Sequence, residues 1–263
     1  MNKLIKTFLI SSTMIFLVIM PNLTTSSSSE INLEDGLITY LKFNEKDNII
    51  KDTSGLIEGT KHGNNFSDNA VMFNGQDDFI ELQNYNLKNL NLGSISIWFK
   101  VQDIPDRNGI RPILYYGAKN PCKNMPDASN QGLIIEVGHD PMHYNSKNLY
   151  FTIFADGCDY PTFCYDSNKA IEENTWYHFV AIVGENYNTG YLNGEEMVNR
   201  RYNFGDSNSS QFFENAVKHK AMWIGKGYWN GKPNYFKGII QNIRIYNRVL
   251  KQDEIKNIYD NKM

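Results

Sequence analysis

Hydrophobic positions recur at every second residue over short runs of this chain. Ile95, Ile97, Phe99 and Val101 share one face, and Ser94, Ser96, Trp98 and Lys100 share the other. That alternation marks a strand with one buried face. Further strands are predicted over residues 36–43, as a pair over 70–82, over 175–183, and over 149–154 with 132–137 as its hairpin partner. Asn193 and Gly194 stand between two apolar runs. A two-residue hairpin turn needs positive φ at both central positions, which these residue types supply. Residues 239–246 alternate again, placing Ile239, Gln241, Ile243 and Ile245 on one predicted face and Asn242, Arg244 and Tyr246 on the other. The period then changes. Ile255, Ile258 and Tyr259 are spaced i, i+3, i+4, which makes one apolar stripe on a short helix. The pattern predicts an all-β, two-sheet antiparallel jelly-roll sandwich with one short C-terminal helix. Three longer polar or aromatic stretches, about 117–131, 155–174 and 203–220, are predicted as loops of a length that is usually functional or disordered.

The N-terminus departs from this pattern. Lys3 and Lys6 precede an apolar run over residues 8–20, broken only by Ser11, Ser12 and Thr13, and residues 24–29 are small and polar. This is the layout of a secretory signal peptide. The run is shorter than the ~20 residues a membrane span needs. The expected division is a leader over 1–29 and one sandwich domain over 30–263, secreted and without a membrane span in the mature chain. The net charge of -3 gives no electrostatic case for nucleic acid. The three cysteines fit an oxidising compartment. Cys158 and Cys164 bracket a short loop that a disulfide would pin. Cys122 can pair with either, so three single pairings stay open.

Candidate chemistry is sparse. Glu136 and Asp140 are the nearest to a glycosidase carboxylate pair, but they share a face only on an unbroken strand, with Gly138 between them. Glu195 and Glu196 flank the hairpin turn, where charges are normally solvated. Nucleophile-elbow, phosphate-loop and zinc-protease motifs are missing, so the chain is expected not to be an enzyme. His139, Asp140 and His143 form a weaker transition-metal candidate. Asp52-Thr-Ser-Gly55 and Gly75-Gln-Asp77-Asp78 supply the carboxylates and carbonyls that calcium takes. Sugar binding needs rings to stack on and amides to hold hydroxyls. Tyr228, Trp229 and Tyr235, with Asn230 and Asn234, put both on one loop, and Tyr160, Phe163 and Tyr165 form a second cluster. Trp98, Trp176 and Trp223 are expected to be structural.

Several segments, in their order, resemble a laminin-G-like domain of the concanavalin A-like lectin/glucanase superfamily. They are the opening strand from Gly36, the turn Asp52-Thr-Ser-Gly55, the strand pair from Ala70 and the strands from Ser94 and Thr175. The hairpin from Tyr191, Trp223-Ile-Gly225 and the terminal strand and helix complete the order. The resemblance covers nearly all of the chain after the leader. It implies a structural calcium where the opening turn, the second strand pair and the last strand meet, carrying Asp52 and Asp77 or Asp78. The chain departs from that pattern at Gln241, where the family commonly has an acid. The implied function is that of a secreted, non-catalytic carbohydrate-binding (lectin-like) protein. The alternative is an adhesion module with an extracellular protein partner, and a glycan-cleaving enzyme comes third.

Overall fold

The alternating segments fold as strands. The computed structural model describes residues 31–261 apart from 45–48, 64, 68, 84, 106–108, 120–131, 139–146, 156–160, 217–219 and 230–231. In chain order the strands are β1 Leu37–Leu41, β2 Ile49–Lys51, β3 Glu58–His62, β4 Asn65–Ser67, β5 Ala70–Asn74, β6 Phe79–Gln83, β7 Gly93–Val101, β8 Ile110–Gly117, β9 Gly132–Gly138 and β10 Asn148–Ile153. They continue as β11 Phe163–Ala170, β12 Trp176–Gly184, β13 Tyr187–Leu192, β14 Glu195–Glu196, β15 Arg201–Phe204, β16 Ala221–Ile224, β17 Lys226–Trp229, β18 Lys232–Tyr235 and β19 Lys237–Tyr246. Helix α1 spans Gln252–Asp260. Residues 32–263 form one compact unit.

An eight-stranded sheet runs β14-β13-β12-β7-β19-β5-β4, with β1 pairing β19 beyond the end of β5. A nine-stranded sheet runs β15-β11-β10-β9-β8-β16-β6-β3-β2, and β17 and β18 make a separate hairpin. Both large sheets are antiparallel. Their inner faces meet in one core. From one sheet come Ile95, Ile97, Phe99 and Val101; from the other come Leu133, Ile135, Phe151 and Ile153. Each such side chain contributes roughly 1.5–3 kcal/mol by leaving water. The two expected hairpins form: β9 pairs β10 with Leu133 opposite Ile153, and Asn193 and Gly194 turn at φ 55° and 80°.

Two expectations need correction. Residues 163–170 are not part of a loop but form β11, an interior strand between β10 and β15. Phe163 and Tyr165 therefore point into the core instead of forming a loop cluster. In β19 the predicted faces hold only beyond a bulge. Asn242 adopts φ 53° and the register shifts between Gln241 and Arg244. The extra residue reverses the alternation. Ile240, Ile243 and Ile245 face the core, while Ile239 and Gln241 fall on the outer side.

The closing helix follows its stripe. Ile255 and Ile258 pack on Val180, Ile182 and Tyr246 of the eight-stranded sheet's outer face. Its first turn is fixed by Glu254, which accepts the Lys251 N–H at 2.7 Å and binds the Arg248 guanidinium at 2.7 and 2.8 Å. Arg248 and the Lys251 N–H hold the Glu254 carboxyl below the usual range, against the opposing pull of burial.

Candidate functional site

The alternation that sends Ile80, Leu82, Met222, Ile224, Leu133 and Ile135 inward sends their neighbours to the outer face of the nine-stranded sheet. Cross-strand pairing sets Glu81, Trp223, Tyr115, Ile134, Thr152 and Cys164 in one row across six strands. At ~4.8 Å between strands the row is roughly 24 Å long.

One end of the row is aromatic. Trp223 stacks on Tyr115 at 5.2 Å and meets Phe79 and Tyr228 edge-on at 6.4 and 5.9 Å. His62 stacks on Phe79 at 4.1 Å. The β17–β18 hairpin folds over this end. Gly225, at φ 80°, turns the chain out of β16 and donates its N–H to the Ile113 carbonyl at 3.0 Å. Gly227 lets the hairpin settle, because a Cβ there would stand 3.0 Å from Pro112 and 3.1 Å from Ile134. The Tyr228 hydroxyl donates to the Lys119 carbonyl at 3.0 Å. Trp223 and Tyr115 are thereby buried, while Phe79, Tyr228 and Tyr235 stay partly exposed and His62 exposed.

Lys226 places its ammonium among these rings, 3.9 Å from the Phe79 centroid, 4.6 Å from Trp223 and 5.9 Å from Tyr235. Burial draws it below the usual lysine range, and Glu81 opposes that in part. Glu81 pairs with Lys119 at 3.0 Å and faces His62 Nε2 at 3.9 Å.

The other end is polar. Asp166, 0% exposed, lies one row over from Cys164. Its Oδ2 accepts from Arg201 Nε at 2.9 Å and Asn203 Nδ2 at 3.0 Å, and stands 2.7 Å from Arg201 Nη2 in an ion pair. Its Oδ1 takes Asn148 Nδ2 at 2.8 Å and the Asn168 N–H at 2.6 Å. Taking a carboxylate out of water costs free energy that such donors offset. Tyr150 sits opposite both Asp166 and Glu136, and Glu136 is 7% exposed.

Of the sequence-predicted ligand residues, Tyr228 and Tyr235 belong to the aromatic end. Trp229 pairs with Lys232 in the hairpin backbone. Asn230, Tyr160 and Cys158 lie outside the described residues, as do Cys122, His139, Asp140 and His143. Cys164 is buried on β11, 3.2 Å from Thr152 Oγ1.

The carboxylates expected to hold calcium are not brought together. Asp52 Oδ1 accepts the Leu56 and Ile57 N–H groups at 3.0 and 3.1 Å, and Oδ2 the Ser54 hydroxyl at 2.7 Å. Asp77 accepts from the Asn74 side chain at 2.8 Å, and Asp78 from the Asn74 N–H at 3.0 Å. Asp52 lies beside Ile57, before β3, and Asp78 precedes Phe79, the partner of His62 at the far end of β3. The two turns are roughly 20 Å apart along the strands. Gln241 stands opposite Trp98 on the other sheet. Among the described residues, no three His, Cys, Asp or Glu side chains are grouped to hold a metal ion. Sequence reading missed Asp166, Arg201 and Asn203. The signal was the alternation of Phe163 and Tyr165 with Cys164 and Asp166.

The model of the concanavalin A-like lectin/glucanases superfamily matches residues 74–256. The chain belongs to that superfamily. Its name joins binders and enzymes, so membership alone assigns neither. No curated protein matches. Among solved structures, the sialidase of Trypanosoma rangeli shares the fold at 16% identity and TM-score 0.58, covering 87% of this chain and 33% of the sialidase. The same enzyme in complex with sialic acid matches with the same values. Domain 4 of AbnA, a GH43 extracellular arabinanase from Geobacillus stearothermophilus in complex with arabinotriose, matches at 21% identity and TM-score 0.55, covering 85% of this chain and 98% of that domain. This chain thus spans about a third of the length of the sialidases it matches. These likenesses overturn the expectation of a non-catalytic lectin. The matched structures are a sialidase and a domain of an arabinanase, and what they share with this member of the superfamily is the lectin-like fold alone. Among the described residues, no helix is long and apolar enough to cross a membrane.

Proposed function

We propose that the chain engages glycan, holding a sugar strand on the outer face of its nine-stranded sheet. The observation that carries this reading is the continuous row from Glu81 to Cys164, aromatic at one end and polar at the other. Partly exposed Tyr235 offers a face to sugar C–H groups, and Phe79, with His62 on its ring at 4.1 Å and Lys226 at 3.9 Å, holds those two beside it. Lys226, Glu81 and His62 beside them offer hydrogen bonds to hydroxyls. The sialidase and the arabinanase domain among the fold's neighbours support glycan as the ligand.

Asp166, held by four hydrogen-bond donors and the Arg201 ion pair, fixes the polar end of that row. The test is calorimetric titration with arabinotriose and with a sialylated trisaccharide. At least one is expected to bind, and Phe79→Ala to weaken it about tenfold, the effect of ~1.4 kcal/mol. Failure of both sugars to bind, or binding indifferent to Phe79→Ala, contradicts the reading.

A further inference from the structure

Among the described residues, the outer face of the eight-stranded sheet is only partly covered. α1 lies over Val180, Ile182 and Tyr246, and its Tyr259 stacks on Trp98 at 5.6 Å. Beyond the helix, pairing gathers three cations. Arg244 is opposite Tyr40, and Lys100 lies between Trp176 and Ile239. The Arg244 guanidinium is 3.8 Å from the Tyr40 ring centroid and the Lys42 ammonium 4.9 Å from the same ring. The Lys100 ammonium is 5.3 Å from the Trp176 centroid. All three are at least partly exposed. Among the described residues none of them reaches a carboxylate, although the chain carries 29 acids against 26 bases.

We infer that this face is a second binding site, for a carbohydrate strand that carries carboxylates. Arg244 and Lys100 stand roughly 13 Å apart along the strands, so one small anion cannot meet both. A polymer with repeated charges can. Next to the cations lie the Trp176 ring and the Gln241 amide, groups suited to sugar C–H faces and hydroxyls. An acidic peptide fits less well. Peptides commonly bind by adding a strand to a sheet edge, and β7 and β19 are paired on both sides. This site goes beyond the glycan-holding row and lies on the other sheet.

The experiment titrates the chain with an oligogalacturonate, with its full methyl ester and with polyglutamate. The acid is expected to bind, the ester not, and rising salt to weaken the acid's binding. Lys42→Gln with Lys100→Gln is expected to weaken it about tenfold, since each exposed charge contact gives a few-fold. Arg244→Lys keeps the charge and is expected to keep binding. Lys256→Gln on α1 is expected to leave it at the parental value. Arabinotriose binding, which reads the other face, is expected to survive the double substitution. Equal binding of acid and ester, indifference to the double substitution, or polyglutamate binding as tightly as the uronate each overturns the inference.

Discussion

The polar end of the nine-stranded face and the open part of the eight-stranded face treat charge in opposite ways. On the nine-stranded sheet, fully buried Asp166 is met by Arg201 and three asparagines, and Glu81 by Lys119. On the eight-stranded sheet, Lys42, Lys100 and Arg244 rest on aromatic rings and reach no carboxylate among the described residues. The difference follows from desolvation. A carboxylate taken out of water must be answered by donors or the strands around it separate. A partly exposed cation keeps its hydration while its stem lies on a ring, so its charge is left over for a ligand. Buried, matched charge therefore holds the polar end of the nine-stranded sheet together, and unmatched charge on the eight-stranded sheet is what that face can still bind.

That contrast is most directly broken at Arg201. Arg201→Ala leaves Asp166 buried without its main partner and is expected to destabilise the fold by about 3 kcal/mol, read by urea unfolding. Arg201 is partly exposed, so water softens the loss. An effect below ~1 kcal/mol would show that the pair is ornamental.

The next effect lies under α1. His178 is buried, stacked on Trp98 at 4.9 Å, with its Nε2 2.8 Å from Ser96 Oγ. Burial, with Arg244 nearby, lowers its pKa from 6.5 to about 3. Below pH 6.5 the unfolded chain takes up a proton that the folded chain refuses, so stability falls as pH drops from 6.5 toward 3. The loss by pH 4.5 is expected to be on the order of 2 kcal/mol. His178→Gln should flatten that slope. Identical slopes in the two proteins would refute the assignment.

Smaller still, Arg244→Gln is expected to change stability by less than ~0.5 kcal/mol in the same assay, in contrast to Arg201→Ala. Smallest of all, a chelator is expected to leave the melting temperature unchanged, because Asp52, Asp77 and Asp78 are satisfied within two separate turns. A drop reversed by added calcium would contradict that.

Much of the fold was legible because its information is local. Ile95 to Val101 alternate without interruption, Asn193 and Gly194 name their own turn, and Ile255, Ile258 and Tyr259 name their helix. The bulge at Asn242 was not legible, since one residue at positive φ reverses a face without changing the composition around it. β11 was hidden because Cys164 and Asp166, polar for a strand, are buried on the outer face by neighbours far away in sequence. The candidate site divides along the same line. Tyr228 and Tyr235 could be named in advance because they share one hairpin. Asp166, Arg201 and Asn148 meet only through strand pairing, and no spacing along the chain announces them.

The most direct test of the account is hydrogen exchange of the whole chain with and without saturating arabinotriose. Slowed exchange in residues 79–83 and 221–235, with residues 94–101 and 237–246 unchanged, is the predicted result. Protection confined to the eight-stranded sheet, or none from a sugar shown to bind, would contradict the assignment of the glycan to the nine-stranded face.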